Sequence, residues 1–149
     1  MVDHDVLVIG AGLAGMRAAI AAHGTGVSVA MISKVHPVRS HSNAAQGGIN
    51  AALRGQDDSV ESHIYDTVKG SDYLGDQDAI ELLCEEAPGE VISLEHMGVI
   101  FNRDEEGRLG TRSFGGASHA RTFFVADITG QAILHVMYEQ IIRFGIRSY

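Results

Sequence analysis

The stretch Val6-Leu7-Val8-Ile9-Gly10-Ala11-Gly12-Leu13-Ala14-Gly15 decides the reading of this chain. Four apolar residues running into a glycine are expected to form a parallel strand buried on both faces. Gly10, Gly12 and Gly15 then stand in G-x-G-x-x-G spacing. The first glycine permits a tight strand-to-helix turn, the second lets backbone reach a pyrophosphate, and the third lets helix pack on strand. Ala14 to Ala22 is alanine-rich with Met16 and Ile20 and predicts a helix, stopped by Gly24 and Gly26. Val27 to Ile32 predicts a second strand. Strand, glycine turn, helix and strand make a βαβ unit. A helix N-terminus adds unpaired N–H groups and a partial positive charge, which suit a phosphate. The spacing alone is weak. Its place after a strand and at the start of a helix makes residues Gly10, Ala11, Gly12, Leu13, Ala14 and Gly15 the candidate contacts to a dinucleotide.

Beyond this unit, an Asp or Glu about 20 residues on usually binds the adenosine ribose in NAD proteins. Here the second strand ends in Ser33-Lys34. Serine can hydrogen-bond a hydroxyl but brings no charge. The departure weighs against NAD. Residues 33–48 show no period and are rich in Ser, His, Asn and Gly, as a long functional loop is.

Further along, Ile49 to Leu53 predicts a short helix and Ser59 to Lys69 a longer one, with Val60, Ile64, Tyr65 and Val68 at helical spacing. Asp76 is placed to cap a helix running to about Glu86, and Pro88 to open or kink a further turn through Glu95. Asp104-Glu105-Glu106-Gly107 predicts a turn in a small hairpin between Val99–Phe101 and Leu109. Ser113 to Ser118 is a second glycine loop. Asp127 is placed to cap an amphipathic helix, Ile128 to Phe144, with the stripe Ala132, Ile133, Val136, Met137, Ile141 and Phe144. Ile146 to Tyr149 reads as the start of another strand. The fold class expected is α/β: the N-terminal portion of a Rossmann-like domain, with residues 1–149 supplying an incomplete sheet and the substrate-binding parts lying downstream.

The bulk composition narrows the function. The net charge of −8 divides into +2 over residues 1–54, −13 over residues 55–106 and +3 over residues 107–149. No basic stripe is dense enough to neutralise a run of phosphates, so nucleic acid is not an expected partner. The acidic middle reads as solvated helical face. The 18 glycines in 149 residues exceed the ordinary ~7% and suit tight turns and close backbone approach to a ligand. A single cysteine, Cys84, excludes an internal disulfide or a cysteine-based metal cluster and reads as a buried, inert thiol. No metal site is expected. No apolar run is long enough to span a membrane, and the start of the chain lacks the basic region of a secretory signal.

At Ser33 to Ala52 the residues carry a resemblance. Arg39-Ser40-His41 followed by Gln46-Gly47-Gly48 resembles the flavoprotein subunit of succinate dehydrogenase and fumarate reductase. The likeness continues through Tyr65 to Tyr73, Gly75 to Ala79, Glu95 to Gly98, Phe114-Gly115-Gly116 and Ala126 to Gly130. It implies an FAD-binding domain in which Ser33, Lys34, Arg39, Ser40, His41, Ser42, Ala45, Gln46, Gly47 and Gly48 join the glycine turn around the cofactor. It further implies that His41 bonds covalently to the flavin. A histidine in a polar loop can present an unprotonated ring nitrogen near neutral pH. Covalent attachment fixes the ring and alters its electron affinity.

By the same resemblance Phe114 stands near a dicarboxylate, although a core phenylalanine is an equal reading. His119 and Arg121 are candidates to face the same site. No proton-transferring group is assigned, to Arg112 or to Arg121, because the family's proton-transferring arginine and most of its substrate-binding residues lie downstream. The resemblance implies succinate–fumarate interconversion with electrons passed to an iron–sulfur subunit. It places the protein in the cytoplasm, peripheral at the inner face of a membrane through partner subunits. The short connection between Phe114-Gly115-Gly116 and Ala120-Arg121-Thr122 also resembles L-aspartate oxidase, a relative that lacks the histidine and does not attach its flavin covalently. A third reading is a truncated module without catalysis of its own.

Overall fold

The computed structural model describes residues 3–53 and 57–149. They divide into two compact units, Met1–Ala45 with Gly130–Tyr149, and Gln46–Thr129.

The first unit is built on a parallel sheet. Strand β1 (Val6–Ile9), helix α1 (Leu13–Gly24) and strand β2 (Val29–Ile32) form the expected βαβ unit. Val6 pairs with Val29 and Ile9 with Ile32, and β6 (Arg147–Ser148) adds to the far side of β2 in the order β1-β2-β6. The strand expected at the end of the chain is thus present. Helix α1 packs on the Val8 face: a Cβ on Gly15 would lie 3.6 Å from Val8 Cγ1. Met16 and Ala19 of α1 are wholly buried, as is Met31, which pairs with Val8.

The expectation that β1 is buried on both faces is overturned. Leu7 is 54% and Ile9 85% exposed, and Ile32 beside them is 44% exposed. Alternation explains it, since side chains at successive strand positions point to opposite faces. Helix α1 lies against the Val6–Val8 face. Strand β2 also starts two residues later than predicted.

Helix α4 (Thr129–Arg143) returns the chain to this sheet. Its buried stripe is Ile133, Leu134, Met137, Gln140 and Ile141. The predicted stripe included Phe144 and omitted Leu134. Phe144 is 40% exposed and rests its ring 5.4 Å from that of His23 on α1. The helix begins at Thr129, so Asp127 stands one residue ahead of the capping position.

The second unit pairs helices with a small antiparallel sheet, β3 (Ile49–Asn50), β5 (Thr122–Phe123) and β4 (Thr111–Arg112), in the order β3-β5-β4. The short helix expected at Ile49–Leu53 is therefore a strand. Ile49 pairs with Phe123 and Asn50 with Thr122, partners more than 70 residues away that local propensity does not register. Helix α2 (Val60–Gly70) is capped by Ser59 Oγ, which accepts from the Ser62 amide. Helix α3 (Gln77–Met97) is capped by Asp76 as expected, and ends on Gly98 in the left-handed region, φ 119°. It runs unbroken through Pro88, against the expected break at Glu86. Its buried residues Ile80, Cys84, Ala87 and Val91 form one stripe, and Thr67 Oγ1 on α2 lies 3.7 Å from Cys84 Sγ. Continuous packing of that stripe offsets the ~3 kcal/mol that an interior proline costs. The small hairpin is present: Arg103 bridges Leu109, and the Asp104 amide donates to Arg108 O.

Among the described residues no helix is long and apolar enough to cross a membrane, and no group of three or more His, Cys, Asp or Glu side chains is placed to hold a metal ion.

Candidate functional site

In the first unit, Gly10 turns the chain at φ 105°, a conformation that glycine alone adopts without strain. Its amide donates to Ile32 O at 2.8 Å, which ties the turn to the end of β2. Gly15 meets the requirement for close packing: a Cβ there would collide with the Gly10 carbonyl. Gly12 occupies the N-cap of α1 and makes no side-chain capping bond, and the first turn holds no acid. The helix start therefore keeps the electropositive character an anion needs.

The loop after β2 is more ordered than its lack of period suggests. Pro37–Arg39 and His41–Ala44 are short 3-10 turns. They bring Ser40 and Ser42 to the glycine turn: a Cβ on Gly12 would lie 3.5 Å from Ser42 Oγ and 3.8 Å from Ser40 Oγ. Ser42 Oγ also accepts from the Leu13 amide at 3.4 Å. Ser40 Oγ and Asn43 Oδ1 are buried with no hydrogen-bond partner. Buried polar atoms without partners are rare, and their presence beside this helix start fits a bound polar group. His41 is exposed, as are Lys34, Arg39 and Ala45, while Ser33 is half-buried.

Gly130 belongs to this constellation, and sequence reasoning passed over it. Its amide donates to Ala45 O at 2.7 Å, and a Cβ at 130 would collide with the carbonyl of Ser42 and the side chain of Ala45. The glycine in Ala126-Asp127-Ile128-Thr129-Gly130, at the start of a helix where glycine is disfavoured, was the available signal.

In the second unit, Gln46, Gly47 and Gly48 lead into β3. Arg112 Nη2 donates to Gln46 O at 3.1 Å and to Gly47 O at 2.6 Å. The guanidinium lies 4.4 Å above the Phe124 ring. Phe114 is 50% exposed, which removes the core reading, and sits on Gly47: a Cβ there would lie 2.9 Å from Phe114 Cζ. Phe114, Gly48, Asn50 and His63 help line an apolar groove of about 680 Å³ along α3.

Arg121 does not face an open site. It is 1% exposed. Its Nε and Nη2 donate to the two Asp58 oxygens at 2.8 and 2.6 Å, and Nη1 to Asp66 Oδ2 at 2.8 Å. Asp66 Oδ2 also accepts from Ser118 N and Oγ at 2.8 and 2.7 Å. His119 Nδ1 lies 3.0 Å from Ser118 Oγ and 3.3 Å from Ser62 Oγ. This network fixes the Phe114 loop to α2. Burial works against the Asp66 carboxylate, but its bonds from Ser118 and Arg121 outweigh that and hold its pKa low. Arg121 is likewise held charged by its two carboxylates despite burial. Burial, with repulsion from Arg121, pushes the His63 pKa down against the pull of Asp58 and Asp66. Sequence reasoning missed Asp58 and Asp66 because their partner lies some 60 positions downstream.

The comparisons agree with this geometry. The family model for an FAD binding domain matches residues 5–149. The succinate dehydrogenase flavoprotein subunit of Rickettsia bellii is 50% identical over 97% of this chain and 26% of its own length. The fumarate reductase flavoprotein subunit of Mycobacterium tuberculosis is 47% identical over 96% of the chain and 25% of its own length. A point variant of E. coli quinol fumarate reductase FrdA superposes with a TM-score of 0.90 at 39% identity, over 97% of this chain and 25% of that one. The chain thus spans about a quarter of the length of the curated relatives it matches.

Proposed function

This chain belongs to the FAD-binding-domain family, and from that premise we propose that it supplies the FAD-gripping part of a flavoprotein of the succinate dehydrogenase and fumarate reductase type. The observation that carries the reading is the start of α1, where the cap residue is glycine and the first turn holds no acid, faced by the buried, unpartnered Ser40 Oγ. Residues Gly10 to Gly15 would hold the pyrophosphate, with Ser40 and Ser42 beside it. Ser33 and Lys34 would hold the adenosine side, and Arg39, Ala45, Gln46, Gly47 and Gly48 the remainder. His41 would carry the covalent bond to the flavin. Bound FAD supplies two-electron oxidation and reduction, and the substrate class is a dicarboxylate, succinate or fumarate. Phe114 would stand at the substrate, and His119 would act through the Ser118–Asp66 network. Electrons would pass to an iron–sulfur subunit, through which the protein would lie peripheral to a membrane.

The test is direct. The chain and its His41→Ala variant are expressed with FAD, checked for folding by circular dichroism, then run on a denaturing gel. A fluorescent band in the parent that disappears in the variant is expected. A folded parent that binds FAD and shows no band refutes the covalent bond and favours the oxidase-like reading. A folded parent that takes up no FAD refutes cofactor binding by the chain alone.

A further inference from the structure

We propose that Arg112 is a positioning residue for the flavin: it fixes and polarises the Gln46–Gly48 backbone. The inference rests on the reading that this segment meets the cofactor. One guanidinium nitrogen, Nη2, takes both the Gln46 and the Gly47 carbonyls, at 3.1 and 2.6 Å. The carbonyls of two successive peptides are therefore turned to one side. Among the described residues, the N–H groups of those two peptides, on Gly47 and Gly48, donate to no protein acceptor. A run of backbone with its acceptors satisfied and its donors free is a site for an acceptor-rich ligand, and the flavin ring edge is one.

The placement of Arg112 is itself supported on three sides. It lies on β4, whose register pairs it with Thr122 of β5. Its guanidinium is held over the Phe124 ring at 4.4 Å. Phe114 covers Gly47, where a Cβ would approach its Cζ to 2.9 Å. Arg112 Nε is buried with no partner, so the side chain forgoes a hydrogen bond to keep this pose. A fixed positive charge on the carbonyl side of a peptide strengthens its N–H as a donor. Donors aimed at the flavin favour its reduced, more negative forms. Arg112 thus acts on the cofactor through the backbone, without touching it.

The test compares Arg112→Gln and Arg112→Lys with the parent in the FAD-loaded chain. Arg112→Gln is expected to weaken FAD binding about tenfold, lower the midpoint potential of the bound flavin and shift its visible absorption. Arg112→Lys keeps the charge and is expected to restore the potential in part. A merely structural residue would move stability and leave potential and spectrum unchanged. Amide NMR of the flavin-free chain is the second arm. The Gly47 and Gly48 resonances are expected to move in Arg112→Gln and stay nearer the parent in Arg112→Lys. Unchanged Gly47 and Gly48 resonances overturn the clamp. Moved resonances with an unchanged potential overturn its action on the flavin. A folded parent that takes up no FAD overturns the cofactor reading on which that action depends, while the NMR arm still decides the clamp.

Discussion

At the scale of single residues, the strongest buried chemistry belongs to Arg121, which is 1% exposed between Asp58 and Asp66. Breaking a buried pair by removing one partner leaves an uncompensated charge. Arg121→Met, which strands two carboxylates, is expected to cost about 3–5 kcal/mol in urea unfolding. The pH dependence follows from two groups. His63 has a depressed folded pKa, so its stabilisation is complete above the ordinary histidine value of about 6.5 and is lost as pH falls through the folded value. Asp66 also has a depressed folded pKa, so its contribution is complete above about 4 and is lost as pH falls further. Unfolding free energy measured against pH should therefore decline in two stages on acidification. His63→Gln should abolish the upper stage and Asp66→Asn the lower; a single unaltered decline in both variants contradicts the assignment.

At the scale of elements, helix α3 carries Pro88 and Gly89 in its middle and persists. Its buried stripe and its two caps hold it, against local propensity. Gly89 is exposed, and a Cβ there meets nothing within 4 Å. Gly89→Ala should therefore stabilise the chain by about 0.5–1 kcal/mol, read as a higher denaturation midpoint with an unchanged slope. No gain would mean that the middle of α3 is distorted in solution. The βαβ start was legible because each of its signals is local: an apolar run, three glycines at fixed spacing and an alanine-rich helix. Helix α3 showed its start through Asp76, which caps within three residues, whereas Ser59 was read as the first residue of α2 and is its cap. Strand β3 was misread because two residues carry too little pattern, and Thr122–Phe123, which makes it a strand, is far away in sequence.

At the scale of the whole molecule, the parallel sheet of the first unit leaves Leu7, Ile9 and Ile32 exposed on one face. Contiguous apolar surface on an open sheet favours association. The chain by itself should bind a hydrophobic dye and run as oligomers in size-exclusion chromatography at high concentration. Ile9→Thr with Ile32→Thr should reduce both signals; unchanged elution and dye binding would show the face is covered in solution.

The sequence by itself determined the glycine turn, the βαβ unit, the family likeness through His41 and Gln46 to Gly48, and the cap of α3. Each depends on residues close together in the chain, where spacing translates directly into geometry. Tertiary structure alone decided that Gly130 packs on the loop carrying His41, that Arg112 holds the Gln46 and Gly47 carbonyls, and that Arg121 is committed to Asp58 and Asp66. Those contacts join residues about 50 to 90 positions apart. Hydrogen bonds and burial act through space, and one sequence records no distance between such residues until the chain has folded.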